Sequence, residues 1–187
     1  MTIKDRLALI TKPIEWTGDL SDDCTALWAG LMLRAEWMNK DYWWWAVYDM
    51  EANEITVDDS TNYSASFKGG QIARQNAESV AQNYIFELIK KQCKNQFIIN
   101  DAFKITRIGL VLVGYILEGS LSTGDKIIFI ALNKLYVRQI IDIEGMTVAQ
   151  PSNINTGLKI QCENETEIDK LRNWNPNNYL AIVFNSE

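Results

Sequence analysis

"RIGLVLVGYILEGSLSTGDKI", residues 107–127, places a glycine at every fifth position: Gly109, Gly114, Gly119 and Gly124. A period of five matches neither the helix repeat nor the strand repeat. The stretch is therefore either a ligand-cradling loop or a set of corners in a folded sheet. A phosphate loop needs G-x-x-x-x-G-K-[ST] between a strand and a helix. Gly109 and Gly114 have the glycine spacing, but Tyr115 and Ile116 stand where Lys and Ser/Thr are required. Gly119 and Gly124 are followed by Asp125 and Lys126, which also fails. The flanks are β-branched and aliphatic, so no helix N-terminus is offered to an anion. Sheet geometry accounts for all four. Gly109 and Gly114 would bend one long strand, and Gly119 and Gly124 would supply the positive φ of a turn.

The surroundings agree with the sheet. After residue 96 come short apolar runs punctuated by Gly, Asn and Asp: "FIIN", "AFKIT", "LVLVGYIL", "DKIIFIAL", "LYVRQIIDIEGM", "TGLKIQC" and "YLAIVF". Closely spaced strands of this kind predict a small all-β barrel over 96–187. "ENETEIDKLRNWNPNN", residues 163–178, interrupts them as a short helix or long loop.

From Phe103 to Ile127 the chain reads F-x-I-x-x-x-G-x-V-x-x-G-x-I-x-x-G-x-L-x-x-G-D-x-I, carried by Phe103, Ile105, Gly109, Val111, Gly114, Ile116, Gly119, Leu121, Gly124, Asp125 and Ile127. This pattern resembles the opening of the second-domain β-barrel of elongation factor Tu and related translational GTPases. "TGLKIQC" and "YLAIVF" resemble later strands of that barrel, and 163–178 looks like an insertion. The resemblance implies the barrel fold. It implies no functional residue, because the GTPase domain that precedes the barrel in that family has no counterpart here, neither as a P-loop nor as an NKxD motif. A shared fold does not transfer a function.

Residues 1–95 resemble no family. Six of the seven tryptophans lie within the first 45 residues, which suggests a separate core. "CTALWAGLMLRAEWM" (24–38) reads as a strand, with Leu27, Ala29, Leu31, Leu33, Ala35 and Trp37 on one wholly apolar face. As a helix it would set Arg34 among Leu27, Leu31 and Met38. "NKD" turns the chain, "YWWWAVYDM" is a β-prone strand, "EAN" turns it again and "EITVDDS" alternates. The expectation is a three-stranded antiparallel meander. "GGQIARQNAESVAQNYIFELIKKQ" follows as an amphipathic helix of five to six turns, its apolar stripe running from Ile72 and Ala73 through Ala77, Val80, Ala81 and Tyr84 to Leu88 and Ile89. The expected fold is thus an α+β module over 1–95, a β-β-β-α unit, followed by the barrel over 96–187.

Composition excludes several chemistries. The net charge is −6, with 18 Lys/Arg against 24 Asp/Glu. It divides as −4 over 1–95 and −2 over 96–187, so neither half attracts nucleic acid or anionic membrane. There is no histidine, which removes Ser-His-Asp and Cys-His catalysis and the commonest metal ligand. Cys24, Cys93 and Cys162 are isolated and form no CxxC pair, so buried thiols are expected rather than disulfides or zinc. The opening "MTIKDRLALITKPIEW" lacks a signal-peptide core, and "GLVLVGYIL" is too short to span a bilayer. A cytoplasmic location is expected.

Asp22/Asp23 and Asp58/Asp59 could in principle serve a carboxylate-dependent enzyme, but adjacent strand residues point to opposite faces and neither pair converges. "YWWWAVY" is the remaining signal. An exposed Trp43 and Trp45, joined by Trp28 or Tyr48, would form a flat apolar patch of the kind that binds proteins; the alternatives are that these large aromatics thicken a thin two-layer core or that they line a small-ligand site. The expectation is a non-catalytic module without cofactor or metal, binding another and basic protein in the manner of an immunity protein or inhibitor. An accessory role in translation or RNA binding is the alternative that the barrel suggests.

Overall fold

A computed structural model describes residues 1–146 and 155–185. The chain forms two compact units, Met1–Leu88 and Ile89–Glu187.

The first unit contains α1 (Ile3–Leu9), β1 (Trp16–Gly18), β2 (Asp23–Trp28), β3 (Leu31–Asn39), β4 (Tyr42–Asp49) and β5 (Ile55–Asp59), followed by α2 (Gly70–Lys90). The strands make one antiparallel sheet in chain order, β1-β2-β3-β4-β5. The sheet has five strands where three were expected, for two reasons. Trp16–Gly18 adds a short edge strand against β2. The run expected as one strand is a hairpin, in which Trp28 pairs with Leu31 across a two-residue turn. Ala29 and Gly30 have φ of 50° and 80°, the paired left-handed conformation of a tight hairpin turn.

That turn changes which residues are inside. In an unbroken strand Leu27 and Leu31 share a face. Across the hairpin Cys24, Ala26 and Trp28 share a face with Leu31, Leu33 and Ala35, and all six are buried. Leu27, expected inside, is turned outward and is 78% exposed; Trp37 keeps the inner parity opposite Trp43 but lies near the end of β3, where it is 49% exposed. α2 covers this face. Gly70 brings its backbone against the Trp43 ring, where a Cβ would come within 2.9 Å of the indole. Ala73, Ala77 and Ala81 follow as a fully buried stripe of small side chains, so the helix can approach a sheet layer filled by large ones. Ile72 lies outside this stripe at 45% exposure, whereas Ile85 is fully buried.

The second unit contains β6 (Gln96–Ile105), β7 (Gly109–Glu118), β8 (Lys126–Ala131), β9 (Lys134–Met146), β10 (Asn155–Ile160), α3 (Glu165–Leu171) and β11 (Tyr179–Phe184). Six antiparallel strands close as β10-β7-β6-β11-β8-β9, with β9 returning to β10. "FIIN" and "AFKIT" are one strand, broken by a bulge between Ile99 and Asp101 opposite Gly114. The interior is apolar, built around Phe97, Leu110, Leu112, Ile127, Phe129 and Leu158. Gly114 approaches the bulged strand closely, and Gly119 and Gly124 take φ of 79° and 98° in the β7–β8 connection. Gly109 differs from the expectation: it opens β7 at the hairpin turn instead of bending the strand from within. Within 163–178, Asn164 caps α3 by accepting from the Glu167 amide. Leu171, Ile168 and Trp174 then pack onto the barrel core, with the Trp174 ring stacked 5.5 Å from that of Phe129.

Candidate interaction surface

The two faces of the first unit's sheet have opposite character. The α2 side takes Trp28, Trp43 and Trp45, which are 6%, 5% and 1% exposed. The sequence allows these three as interface or as core, and the interface reading is corrected: all three are core. Trp45 packs edge-on against Phe67 at 5.7 Å and beside Tyr63 at 5.5 Å, while the Trp28 indole donates to the Lys12 carbonyl. Strand parity explains the correction. Trp43, Trp45, Val47 and Asp49 point one way, towards α2, whereas Trp44, Ala46 and Tyr48 point the other. Tyr48 therefore never shares a face with Trp43 and Trp45.

Polar contacts add to the packing on the α2 side. Arg6 of α1 is buried, donating to Asp49 at 2.7 Å and to the Ala29 carbonyl at 2.8 Å. Tyr84 of α2 donates to the other Asp49 oxygen at 3.0 Å. Burial pushes the Asp49 carboxyl up, but hydrogen bonds from Arg6, Tyr84 and the Glu51 amide outweigh it and hold the group below the ordinary Asp value. Burial and the Asp49 carboxylate together raise the Tyr84 phenol. Arg74 donates to the Cys24 sulfur and lies 5.2 Å from the Trp16 ring centre.

The opposite face is aromatic, apolar and partly open. Leu27, Met32 and Tyr48 form one cross-strand row that ends at Thr56 of β5. Leu27 is 78% exposed, and Met32 and Tyr48 are half-buried. A parallel row sets Asp23, Glu36 and Trp44 side by side. Between the rows, Arg34 lies over the Trp44 ring at 5.7 Å and pairs with Glu36. Residues 1–88 hold 7 Lys/Arg against 14 Asp/Glu, a net −7. Arg6 and Arg74, two of the seven, are occupied on the α2 side.

Of the two acidic pairs, Asp58/Asp59 has structural duties. Asp58 accepts from Tyr63 at 2.6 Å and from Asn62 at 2.7 Å. Burial raises its carboxyl, and these bonds overcome that and hold it low. Asp59 caps the following 3-10 turn, accepting from the Thr61 amide. In the barrel unit, Glu167 grips Arg138 through both oxygens, at 2.6 and 2.9 Å, and Glu163 adds a third contact. Beside them the Cys162 thiol is pushed up to about 12, by burial first and then by the Glu167 charge, so it carries little thiolate at neutral pH. Val111, Lys159 and Asp142 share one row on the barrel's outside and, with Ile105 and Ile108, line a shallow groove. Among the described residues no three His, Cys, Asp or Glu side chains are placed to hold a metal ion, and no helix is long and apolar enough to cross a membrane.

Sequence reasoning missed Leu27, Met32, Arg34, Glu36 and Trp44 as a surface. The Gly in "WAGL" was the available signal of the turn that puts them there. No protein-family model matches the chain, and no curated protein matches it either.

Proposed function

We propose that this chain is a non-catalytic binding module that engages a basic protein through the sheet face opposite α2. The observation that carries this reading is the coincidence of an apolar row, Leu27, Met32 and Tyr48, with a unit of net −7. Isolated apolar residues on a surface need no explanation, but a contiguous patch with an aromatic neighbour is characteristic of protein contacts. The acidic field around it would speed association with a basic partner and disfavour acidic ones. Lack of histidine and the structural employment of Asp58 and Asp59 support a binding role over a catalytic one. A cytosolic setting and an inhibitor- or immunity-like mode of action belong to the same proposal. The likeness of the barrel to the second domain of elongation factor Tu remains a proposal about ancestry of the fold, supported by the Phe103–Ile127 pattern alone.

The test uses the full chain and an L27E/Y48E variant as parallel baits. Leu27 is exposed and Tyr48 half-buried on this face, so both substitutions alter the surface and leave the α2-side core in place. A basic protein that is retained by the natural sequence, lost by the variant and bound again when purified supports the reading. Identical sets of captured proteins, or binding that survives the variant, overturn it.

A further inference from the structure

We propose that Trp44 and Glu36 form a guanidinium notch, filled by Arg34 in the free protein and taken over by an arginine of the basic partner on binding. The inference rests on the interface reading above and names the chemistry of the contact. Its geometry follows from the register. Glu36 and Trp44 are direct cross-strand partners, which puts a carboxylate beside an indole on the same face. Arg34, two residues before Glu36, also faces outward. Its guanidinium lies 5.7 Å from the Trp44 ring centre and pairs with Glu36. An aromatic plane with an adjacent carboxylate suits a planar cation better than the compact, strongly hydrated ammonium of lysine.

Two features make the occupancy exchangeable. The Arg34 side chain is 37% exposed, and Glu36 Oε1, although buried, makes no regular hydrogen bond, so no fixed bond ties this guanidinium to the carboxylate. Acidic residues also outnumber the cation locally. Asp23 flanks Glu36 in one row, and Asp59 stands next to Ala46 in the row of Arg34. Among the described residues Arg34 pairs with Glu36 alone, and with Asp23 beside that carboxylate and Asp59, engaged by Thr61, one position beyond Ala46, the site keeps an attraction for a second cation. Ala46, the cross-strand neighbour of Arg34, offers only a methyl group beside it and so does not wall the guanidinium in.

The probe is a hexaarginine peptide, compared with hexalysine at the same ionic strength by calorimetric titration into the full chain. Charge alone would bind the two alike. The notch predicts tighter binding of hexaarginine, and Trp44→Leu should remove about two- to fivefold of that affinity, as expected for loss of a cation–π contact, with hexalysine little changed. Glu36→Gln should act in the same direction, and serves if the leucine variant does not fold. Arg34→Met empties the notch and should tighten hexaarginine binding. Equal affinity for the two peptides, an arginine preference that survives both Trp44→Leu and Glu36→Gln, or weaker binding after Arg34→Met would overturn the proposal. If arginine selectivity fails while L27E/Y48E still loses the basic partner, the notch falls and the interface reading stands.

Discussion

At Gly114 a Cβ would lie 1.7 Å from the Ile98 carbonyl oxygen and 2.8 Å from its carbon. Both are backbone atoms of β6, so no side-chain rotation relieves the clash. The contact exists because β6 bulges between Ile99 and Asp101 there, and a bulge bends a strand towards its partner. Gly114→Ala must spread two strands of a closed barrel, which should cost about 3 kcal/mol, the upper part of the range for overpacking. Thermal unfolding followed by circular dichroism would show it as a midpoint lowered by several degrees. An unchanged midpoint would mean that the strands part freely. The glycine ladder was legible because its function is local: turns and a close approach need the missing side chain itself. The opposite holds at Ala29. Its φ of 50° puts an alanine in a conformation usually left to Gly, Asn or Asp, so the residue carries no turn signal. The apolar pattern runs on across it, Gly30 alone marks the turn, and that one turn inverts the parity of every strand residue before it.

At the scale of elements, α1 has only seven residues, too few to persist as an isolated helix. A capping box between Thr2 and Asp5 starts it, but attachment falls to Arg6. The guanidinium reaches the Ala29 carbonyl in one turn and the Asp49 carboxylate at the start of another, tying α1 to two neighbouring turns at one end of the sheet. Both side chains are about 6% exposed or less, so neither charge can turn to water once its partner is gone. Arg6→Met should therefore destabilise the first unit by about 3–5 kcal/mol, the cost of an orphaned buried charge, and chemical denaturation should show it as a lower midpoint. Asp49→Asn combined with Arg6→Met should recover part of the loss; if the double variant is no more stable than Arg6→Met alone, the pair is not the source. Nothing in "DRLAL" announces this role. A short helix with one arginine reads as a solvated lead-in, and the partner lies 43 residues away. The barrel strands, by contrast, were legible as a series, because each is an apolar run closed by Gly, Asn or Asp and needs no distant residue to define it.

For the whole molecule, charge and hydrogen bonding give a common response to acid. Asp49 and Asp58 in the first unit, and Glu167 in the second, have carboxyls held below their ordinary values of 3.8 and 4.5 despite burial, which opposes the shift in each case. A carboxyl depressed in the folded state contributes stability that is fully present above its unfolded value and is lost as pH falls through the folded one. Both units should therefore hold constant stability from neutrality to about pH 5 and weaken progressively below about pH 4.5, where the unfolded chain begins to take up protons first. Tryptophan fluorescence can follow this mainly in one unit, because six of the seven indoles belong to the first and Trp174 alone to the second. Urea midpoints measured by fluorescence from pH 7 to pH 3 should fall on the acid side, and Asp49→Asn should flatten that fall while lowering the midpoint at pH 7. A midpoint that rises on acidification would mean that relief of the −7 surplus in residues 1–88 outweighs the three bonded carboxyls. The same surplus that should draw a basic partner would then be the unit's main source of instability, and binding such a partner should stabilise it more at pH 7 than at pH 4.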